Sequence, residues 1–324
     1  MNTENYKQYP LLFQNYLKAF EGTYFADKEA IGNGLISGIA ATIGNTITIT
    51  IGNDSELIFP NIQTLLVANF GNGKTTYRQN TEFTKYDKLP NIGYPIHPIM
   101  TPFKSIVTSA RYQQGNAYYE YDGMFPLLFH RISASKQKFY DVGMSGKTNI
   151  YRYACDTKSI PNLCINILAT TYPDAYKAML KEKKQKNNFT KFLNFYYWEK
   201  TACYDHGKID HTILKEITAI INSSINNLRG NIFNFTPTAT ALWLDYKDIN
   251  TSESELLTKS KNKKIDFYPE APNFALKIAL ILYIMTLPAK SPCKINEDIM
   301  QTAINYADKK LKQIYGFLAL NIKY

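Results

Sequence analysis

Residues 68–75 carry the clearest chemical pattern of the chain and read Ala-Asn-Phe-Gly-Asn-Gly-Lys-Thr. The pattern matches the phosphate-binding loop GxxxxGK[ST], except that alanine stands at the first glycine position. In such a loop, backbone N–H groups converge on phosphates, a lysine reaches the terminal phosphate oxygens and a hydroxyl coordinates magnesium. The segment therefore predicts binding of ATP together with Mg²⁺.

Each position of this loop has a predicted role. Gly71 and Gly73 let the backbone approach the phosphates, Lys74 binds the terminal phosphate, and Thr75 binds the metal. The predicted nucleotide-binding residues are Asn69, Gly71, Asn72, Gly73, Lys74, Thr75 and Thr76. The alternative interpretation is a glycine turn that carries an exposed lysine.

A second copy of the tripeptide occurs at Gly146-Lys147-Thr148. It follows a polar segment, residues 136–141, instead of an apolar run, and the residues after it look extended instead of helical. A phosphate loop needs a buried strand before it and a helix after it. We therefore interpret the second copy as an ordinary loop.

A phosphate loop also needs an acidic partner at the end of a neighbouring strand, to hold magnesium and the attacking water opposite the phosphates. Asp122 closes the predicted strand 117–121, and we expect it to bind the metal together with Thr75. Active hydrolases normally have Asp-Glu here, whereas Gly123 follows Asp122. Glu120 is a second candidate catalytic carboxylate, because alternate strand residues share a face; the alternative is an exposed edge carboxylate. The pattern identifies no catalytic base.

Two threonines follow the apolar run 163–169. A polar side chain at this strand end could sense the terminal phosphate or position water, and Thr170 or Thr171 would do so, with Thr171 the predicted catalytic residue. A strand that runs into a helix with Pro173 in its first turn explains the same residues. The arginines that could complete a site from a neighbouring subunit are Arg111, Arg131, Arg152 and Arg229.

Hydrophobic periodicity predicts the elements that must position these residues. Helices are predicted at residues 1–25, 26–43, 102–113, 125–135, 209–228, 237–249, 274–287 and 297–320, and strands at 46–51, 62–68, 117–121, 150–155 and 163–169. Alternating strands and helices predict a three-layer α/β core. We expect an N-terminal helical segment over 1–26, the core over 27–204 and a mainly helical C-terminal region over 205–324.

The chain is basic, with 37 Lys and Arg against 27 Asp and Glu and a formal charge of +10. The excess is concentrated after residue 160, in runs within 177–191 and 259–264, and it favours a polyanionic partner, for which DNA is the prediction. A solvated loop is the alternative for each run. Aromatic residues crowd the first run and could stack single-stranded bases or form a buried strand: Phe189, Phe192, Phe195, Tyr196, Tyr197 and Trp198.

Several protein classes are excluded by composition. No stretch approaches the roughly 18 apolar residues of a membrane span, and the first residues lack the order of a secretory signal, so we expect a cytoplasmic protein. The four cysteines form no CxxC pair, which argues against a disulfide framework and the common zinc modules. Cys203 lies near His206 and His211 but has no evident fourth ligand. We interpret all four cysteines as structural.

The order of these segments resembles the primase/helicase-like P-loop proteins of phages, plasmids and integrated elements. The segments are GLISGIAATIGNTITI, LLVANFGNGKTT, YYEYDGMFPLL, PNLCINILATTYPDAY, FALKIALILYI and INEDIMQTAINYADKKL. The resemblance implies a RecA-like or AAA+-type P-loop NTPase core, a helical C-terminal region, and ATP-dependent work on DNA in the replication or maintenance of a mobile element. It also makes a homo-oligomer an expectation, because helicase-like ATPases commonly act as rings. No separate primase domain is expected, since the residues before the core are too few.

Within this resemblance, Lys74 and Thr75 match the phosphate-loop lysine and hydroxyl, Asp122 matches the acidic strand-end position, and Thr170 or Thr171 falls at the sensor position. Ala68 and Gly123 depart from the family pattern. Loss of the second acidic residue would impair hydrolysis more than binding. Three functions stay open: a helicase-like ATPase, a non-hydrolysing nucleotide- or DNA-binding assembly protein, and a small-molecule phosphotransferase.

Overall fold

The computed structural model describes residues 7–20, 28–51, 57–69, 115–121, 134–146, 150–152, 159–181, 189–198, 209–259, 265–286 and 294–321. The strands are β1 (Thr48–Ile49), β2 (Gln63–Ala68), β3 (Asn116–Tyr121), β4 (Ile150–Arg152), β5 (Ser159–Pro161), β6 (Cys164–Thr171), β7 (Asn194–Trp198), β8 (Ile232–Phe235) and β9 (Lys294–Ile295). The helices are α1 (Leu11–Lys18), α2 (Lys28–Ile43), α3 (Ala134–Ser145), α4 (Pro173–Lys181), α5 (His211–Leu228), α6 (Pro237–Lys259), α7 (Ala271–Thr286) and α8 (Glu297–Asn321).

The main sheet contains four parallel strands in the order β3-β6-β2-β7. Every residue of β2 and β6 is buried, as expected for inner strands of a parallel sheet that is covered on both faces. The register aligns Val67 with Thr171 and Ala68 with Trp198. The sequence-based prediction that residues 62–68 form a central strand is confirmed.

Helices cover both faces of this sheet. On one side, here the α2 face, the Asn194 Nδ2 donates to the Asn33 carbonyl of α2 at 3.0 Å. On the other, the α4 face, the Tyr176 ring of α4 lies 5.7 Å from the Phe195 ring. Helix α3 packs on the α4 face so closely that a Cβ on Gly143 would lie 2.3 Å from the Ile165 Cδ1, so a larger residue there would require the Ile165 side chain to shift. The predicted three-layer α/β arrangement is therefore present.

Helix α2 is buried along almost its whole length, as its Gly- and Ala-rich sequence predicts. It packs between the main sheet and a further set of helices, α1, α5 and α7. The hydroxyl of Tyr306 on α8 lies 2.7 Å from the Asn194 Oδ1 on β7. The C-terminal helices and the main sheet are thus connected by a buried polar network as well as by apolar packing.

A second parallel sheet has the order β1-β8-β9 and joins distant parts of the chain. Thr48 is aligned with Ile232, and Asn234 with Lys294. The strict alternation of residues 46–51 predicts a longer strand than β1, which has only two residues. Strands β8 and β9 lie in the region predicted as mainly helical, and they are too short for periodicity to reveal.

The predicted C-terminal helices are confirmed, with boundaries shifted by a few residues, and α6 extends ten residues beyond its predicted end. Helix α1 is much shorter than predicted and begins after Pro10, which occupies its N-cap position. The helix predicted at 102–113 lies outside the described residues, as does most of the one at 125–135. Within the described ranges, no helix combines the length and apolar character needed to cross a membrane.

Candidate functional site

The carboxyl edge of the main sheet is the candidate site, because parallel α/β sheets bind ligands beyond the carboxyl ends of their strands. Strand β2 ends there at Ala68, and the next residue, Asn69, is exposed. The predicted phosphate-binding residues follow directly in the chain. Gly71, Asn72, Gly73, Lys74, Thr75 and Thr76 lie outside the described residues, so the structure locates the start of this segment and not its conformation.

Thr171 lies at this edge, at the end of β6 and aligned with Val67 of β2. Its hydroxyl is buried and has no hydrogen-bond partner among the described residues. Buried hydroxyls are nearly always paired, so an unpaired one beside a candidate site needs a physical explanation. A phosphate oxygen or a water bound at this edge would supply the missing partner. Thr170 is also buried, but alternation along the strand directs it to the opposite face.

The alternative explanation of Thr170 and Thr171, a strand that runs into a helix with Pro173 in its first turn, is confirmed as well. Helix α4 begins at Pro173, two residues after β6 ends. Proline suits the first turn of a helix, where its missing N–H costs no hydrogen bond. The strand-to-helix transition therefore accounts for the proline, and the unpaired hydroxyl of Thr171 remains as a separate observation.

Glu120 is less well placed than Thr171 for chemistry at this edge. It lies on β3, which β6 separates from β2, and it is aligned with Leu168. Leu168 precedes Thr171 by three residues, which is about 10 Å along a strand. Glu120 is therefore set back from the edge, while Tyr121 ends the strand. The next residue, Asp122, is the predicted metal ligand and lies outside the described residues.

The second Gly-Lys-Thr copy occupies a different setting, as predicted. Gly146 directly follows helix α3 and has a φ of 76°, the left-handed conformation that commonly ends a helix. Strand β4 begins at Ile150, so this tripeptide stands between a helix and a strand. A Cβ on Gly146 would lie 2.5 Å from the Asn61 Oδ1, which places Gly146 beside the residues that precede β2. This copy therefore begins near the amino edge of the sheet.

The aromatic cluster of residues 189–198 is mainly core. Phe195 is buried on β7, which confirms the buried-strand interpretation for it, whereas Phe189 and Phe192 are buried but precede the strand. Tyr196 and Trp198 are half-buried and stacked, with ring centroids 5.6 Å apart and an interplanar angle of 20°. These two rings lie on the α2 face at the carboxyl end of β7.

A partly buried ion cluster lies behind this aromatic pair. The Glu29 carboxylate of α2 accepts from the Lys309 and Lys310 ammonium groups of α8, each at 2.9 Å, and from the Gln313 amide. Burial alone raises the pKa of Glu29, but the charges and hydrogen bonds of the two lysines outweigh it, so the pKa lies below its ordinary value. The Lys310 Nζ also lies 5.7 Å from the Tyr196 ring centroid.

A small polar cavity of about 20 Å³ lies at the opposite, amino edge of the sheet, lined in part by Asn61, Gln63 and Lys277. The Asn61 Nδ2 donates to the Gly143 carbonyl at 2.8 Å, and the Gln63 Nε2 to the Ile165 carbonyl at 2.7 Å. These bonds fix both amides, and their buried oxygens have no described partner. The cavity has room for about one water molecule, which would satisfy them.

Lys277 is the functional-looking residue that sequence reasoning passed over. Only 8% of it is exposed, and burial, with the nearby charge of Lys191, lowers its pKa to about 8 despite the opposing charge of Glu270. The sequence signal was a single lysine within the apolar run of α7. Its structural surroundings, and not the run itself, show that the ammonium group is held inside the protein.

The basic runs are partly neutralised where they are described. Lys177 pairs with Asp174 at 3.2 Å, Lys191 pairs with Glu270, and Lys259 lies 3.5 Å from the Glu255 carboxylate. Lys259 is largely exposed, which favours the solvated-loop interpretation for it, whereas Lys177 and Lys191 are only partly exposed. The intervening residues 182–188 and 260–264 lie outside the described part of the chain.

The remaining predicted residues are dispersed or undescribed. Arg229 follows α5 and Arg152 ends β4, whereas Arg111 and Arg131 lie outside the described ranges. Cys164 is buried, and burial raises the pKa of its thiol to about 12. Among the described residues, no three His, Cys, Asp or Glu side chains are grouped closely enough to hold a metal ion.

Comparison with known proteins adds no family assignment. No protein-family model matches this chain, and no curated protein matches its sequence. The functional inference therefore rests on the residues and on the geometry of the main sheet.

Proposed function

We propose that this protein is an ATP-binding P-loop ATPase of the helicase-like kind that acts on DNA. The observation that carries the proposal is that the Gly-Asn-Gly-Lys-Thr-Thr segment begins three residues after the end of β2, a buried inner strand, at the carboxyl edge of a parallel sheet. The phosphate-loop mechanism requires this setting, because the loop must expose backbone N–H groups and a lysine beyond the strand end.

The strand order supports the same proposal. Strand β6 lies between β2, which precedes the phosphate loop, and β3, which precedes Asp122. In a RecA-like or AAA+-type core of this order, the γ-phosphate would lie between the loop and the acidic strand end, near β6. Thr171 ends β6 with a buried hydroxyl that has no described partner.

The roles of the residues follow from this arrangement. Lys74 would neutralise the terminal phosphates, Thr75 and Asp122 would hold Mg²⁺, and the Thr171 hydroxyl would bind a γ-phosphate oxygen or the attacking water. Gly123 supplies no second carboxylate to activate that water. Hydrolysis is therefore slow in this proposal, and binding is less affected.

The test compares the two Gly-Lys-Thr copies. Lys74→Ala should weaken the binding of Mg-ATP at least tenfold in isothermal titration calorimetry, because the lysine contacts the terminal phosphates only in the first copy. Lys147→Ala is the matched control and should leave the affinity unchanged. Equal affinity of the two variants, or no measurable binding by the wild type, would contradict the proposal.

The DNA partner is supported by the formal charge of +10 and its concentration after residue 160. The residues Ala68 and Gly123 favour a second candidate, a nucleotide- or DNA-binding assembly protein that does not hydrolyse ATP. Steady-state phosphate release with and without DNA separates the two. We further propose a cytoplasmic protein that serves the replication or maintenance of a mobile element, with assembly into a homo-oligomer.

A further inference from the structure

Three side chains, those of Lys310, Tyr196 and Trp198, contact one another in that order. The Lys310 Nζ lies 5.7 Å from the centroid of the Tyr196 ring, and the Tyr196 ring stacks on Trp198. The series runs along β7 toward its carboxyl end, where Trp198 is the last residue of the strand. The cation–π contact orients the Tyr196 ring, and Trp198 packs on that ring.

The position of Trp198 relates it directly to the proposed phosphate loop. Trp198 is aligned with Ala68, the last residue of β2, so the two backbones are about 4.8 Å apart. The neighbouring residue Tyr197 points to the other face, where its ring meets Phe317 at 4.9 Å. Trp198 and Tyr196 therefore form the aromatic surface of β7 on the α2 face.

The direction of a bound nucleotide follows from the strand order. Thr171, predicted to contact the γ-phosphate, ends β6, and the predicted metal ligand Asp122 follows β3 in the chain. Both strands lie on one side of β2. Strand β7 lies on the other side of β2. A nucleoside triphosphate is an elongated molecule, so when its γ-phosphate is directed toward β6, its base extends toward β7.

We propose that Trp198, backed by Tyr196, is the stacking platform for the nucleobase of the bound nucleotide. This inference rests on the proposed function and adds the base-binding part of the same site. The chemical class of the ligand is a nucleoside triphosphate, and the platform recognises the flat face of the base. Stacking of this kind tolerates different bases, because every base has a π-face. ATP and GTP should therefore both bind.

The chain offers an optical test, because Trp198 and Trp243 are its two tryptophans. Trp243 is buried in the C-terminal helical region, where its Nε1 donates to the Pro272 carbonyl at 3.0 Å. In a Trp243→Phe background, Trp198 is the only indole. Mg-ATP should quench its fluorescence through stacking, whereas Mg-tripolyphosphate, which has the phosphates and no base, should leave the intensity unchanged.

Affinity measurements supply the second test. Trp198→Ala should weaken Mg-ATP binding by about 5- to 100-fold, the range for loss of one base–aromatic stack, and leave tripolyphosphate binding unchanged. Trp198→Phe keeps a flat ring and should restore most of the affinity, which guards against a simple folding defect. Tyr268→Leu is the matched control, because Tyr268 stacks on Tyr315 at 5.0 Å in the C-terminal region. It should change neither affinity.

The outcomes are distinguishable. If ATP binds in a Lys74-dependent manner but neither quenches Trp198 nor responds to Trp198→Ala, the platform is refuted and the phosphate site stands. If single-stranded oligothymidine quenches Trp198 and ATP does not, the aromatic pair serves DNA and the inference is overturned. If neither ATP nor tripolyphosphate binds, the proposed function itself fails.

Discussion

The two edges of the main sheet differ in what surrounds their unpaired polar atoms. At the carboxyl edge, the Thr171 hydroxyl has no described partner, and the exposed Asn69 precedes the proposed phosphate-loop segment in the chain. At the amino edge, the oxygens of Asn61 and Gln63 also have no described partner, but the two residues line a cavity with room for about one water molecule. A water molecule in this cavity would account for the atoms at the amino edge, whereas a ligand of the proposed nucleotide site would account for Thr171.

The two Gly-Lys-Thr copies show the same contrast. The first begins at Gly73, five residues after the end of β2, while the second begins at the end of α3 beside Asn61. The tripeptide is identical, yet only the first follows an inner parallel strand. The element that precedes the tripeptide, and not the tripeptide itself, therefore decides which copy is a candidate for phosphate binding.

The largest effect is expected from a change in the ion cluster behind the aromatic pair at the carboxyl edge. Glu29→Gln should lower the free energy of unfolding by about 3–5 kcal/mol, because Lys310 is fully buried and would lose its charged partner. Urea denaturation at neutral pH measures this loss. Lys309→Met is the control and should cost at most about 1 kcal/mol, since Lys309 is substantially exposed.

The difference in unfolding free energy between wild type and Glu29→Gln should depend on pH in a defined direction. The pKa of Glu29 is lower in the folded state than in the unfolded state, so its stabilising contribution is present above the unfolded pKa and is lost as the pH falls through the folded pKa. The difference between wild type and Glu29→Gln should therefore shrink in acid. A constant difference from pH 7 to pH 3 would contradict the assignment.

The second prediction concerns Thr171 at the carboxyl edge, where we expect turnover to change and stability to stay nearly constant. Thr171→Val keeps the shape of the side chain and removes the hydroxyl that has no described partner. We expect phosphate release to fall by roughly a hundredfold to a thousandfold, as for loss of one polar transition-state contact, with the melting temperature unchanged or slightly higher. Steady-state turnover and thermal melting check this. A lower melting temperature with unchanged turnover would show that the hydroxyl is structural.

The smallest effect concerns the amino edge, where we expect stability to change and nucleotide binding to stay constant. Lys277→Met removes a buried ammonium group and should raise the free energy of unfolding at pH 7 by about 1–3 kcal/mol. The folded-state pKa, about 8, lies below the ordinary value of 10.5, so the unfolded state binds more protons between these values. Wild-type stability should therefore rise relative to the variant across that range.

Urea denaturation of wild type and Lys277→Met at pH 7 and pH 10 measures this difference, and the comparison cancels the titration of other groups. A variant that is less stable than wild type at pH 7 would mean that the ammonium group satisfies the amide oxygens of Asn61 and Gln63. Loss of Mg-ATP binding in the variant would remove the functional distinction between the two edges.

Much of the architecture was predictable from local pattern. The apolar run before Asn69 indicated β2, and the periodicity of the C-terminal half indicated α5 to α8. Long amphipathic or apolar segments carry enough repeats for the period to be read. Strands β8 and β9 were missed because they have four and two residues, which is too few for any period.

Some features of the candidate site were likewise predictable from local sequence, and others were not. The order Gly-Asn-Gly-Lys-Thr-Thr and its position after an apolar run are covalent facts, because a phosphate loop is built from consecutive residues. Other features of the site depend on strand pairing between residues that are distant in the chain. These are the position of β6 between β2 and β3, the alignment of Thr171 with Val67, and the alignment of Trp198 with Ala68. Such pairing is decided by how buried faces fit together, and only the folded chain specifies it.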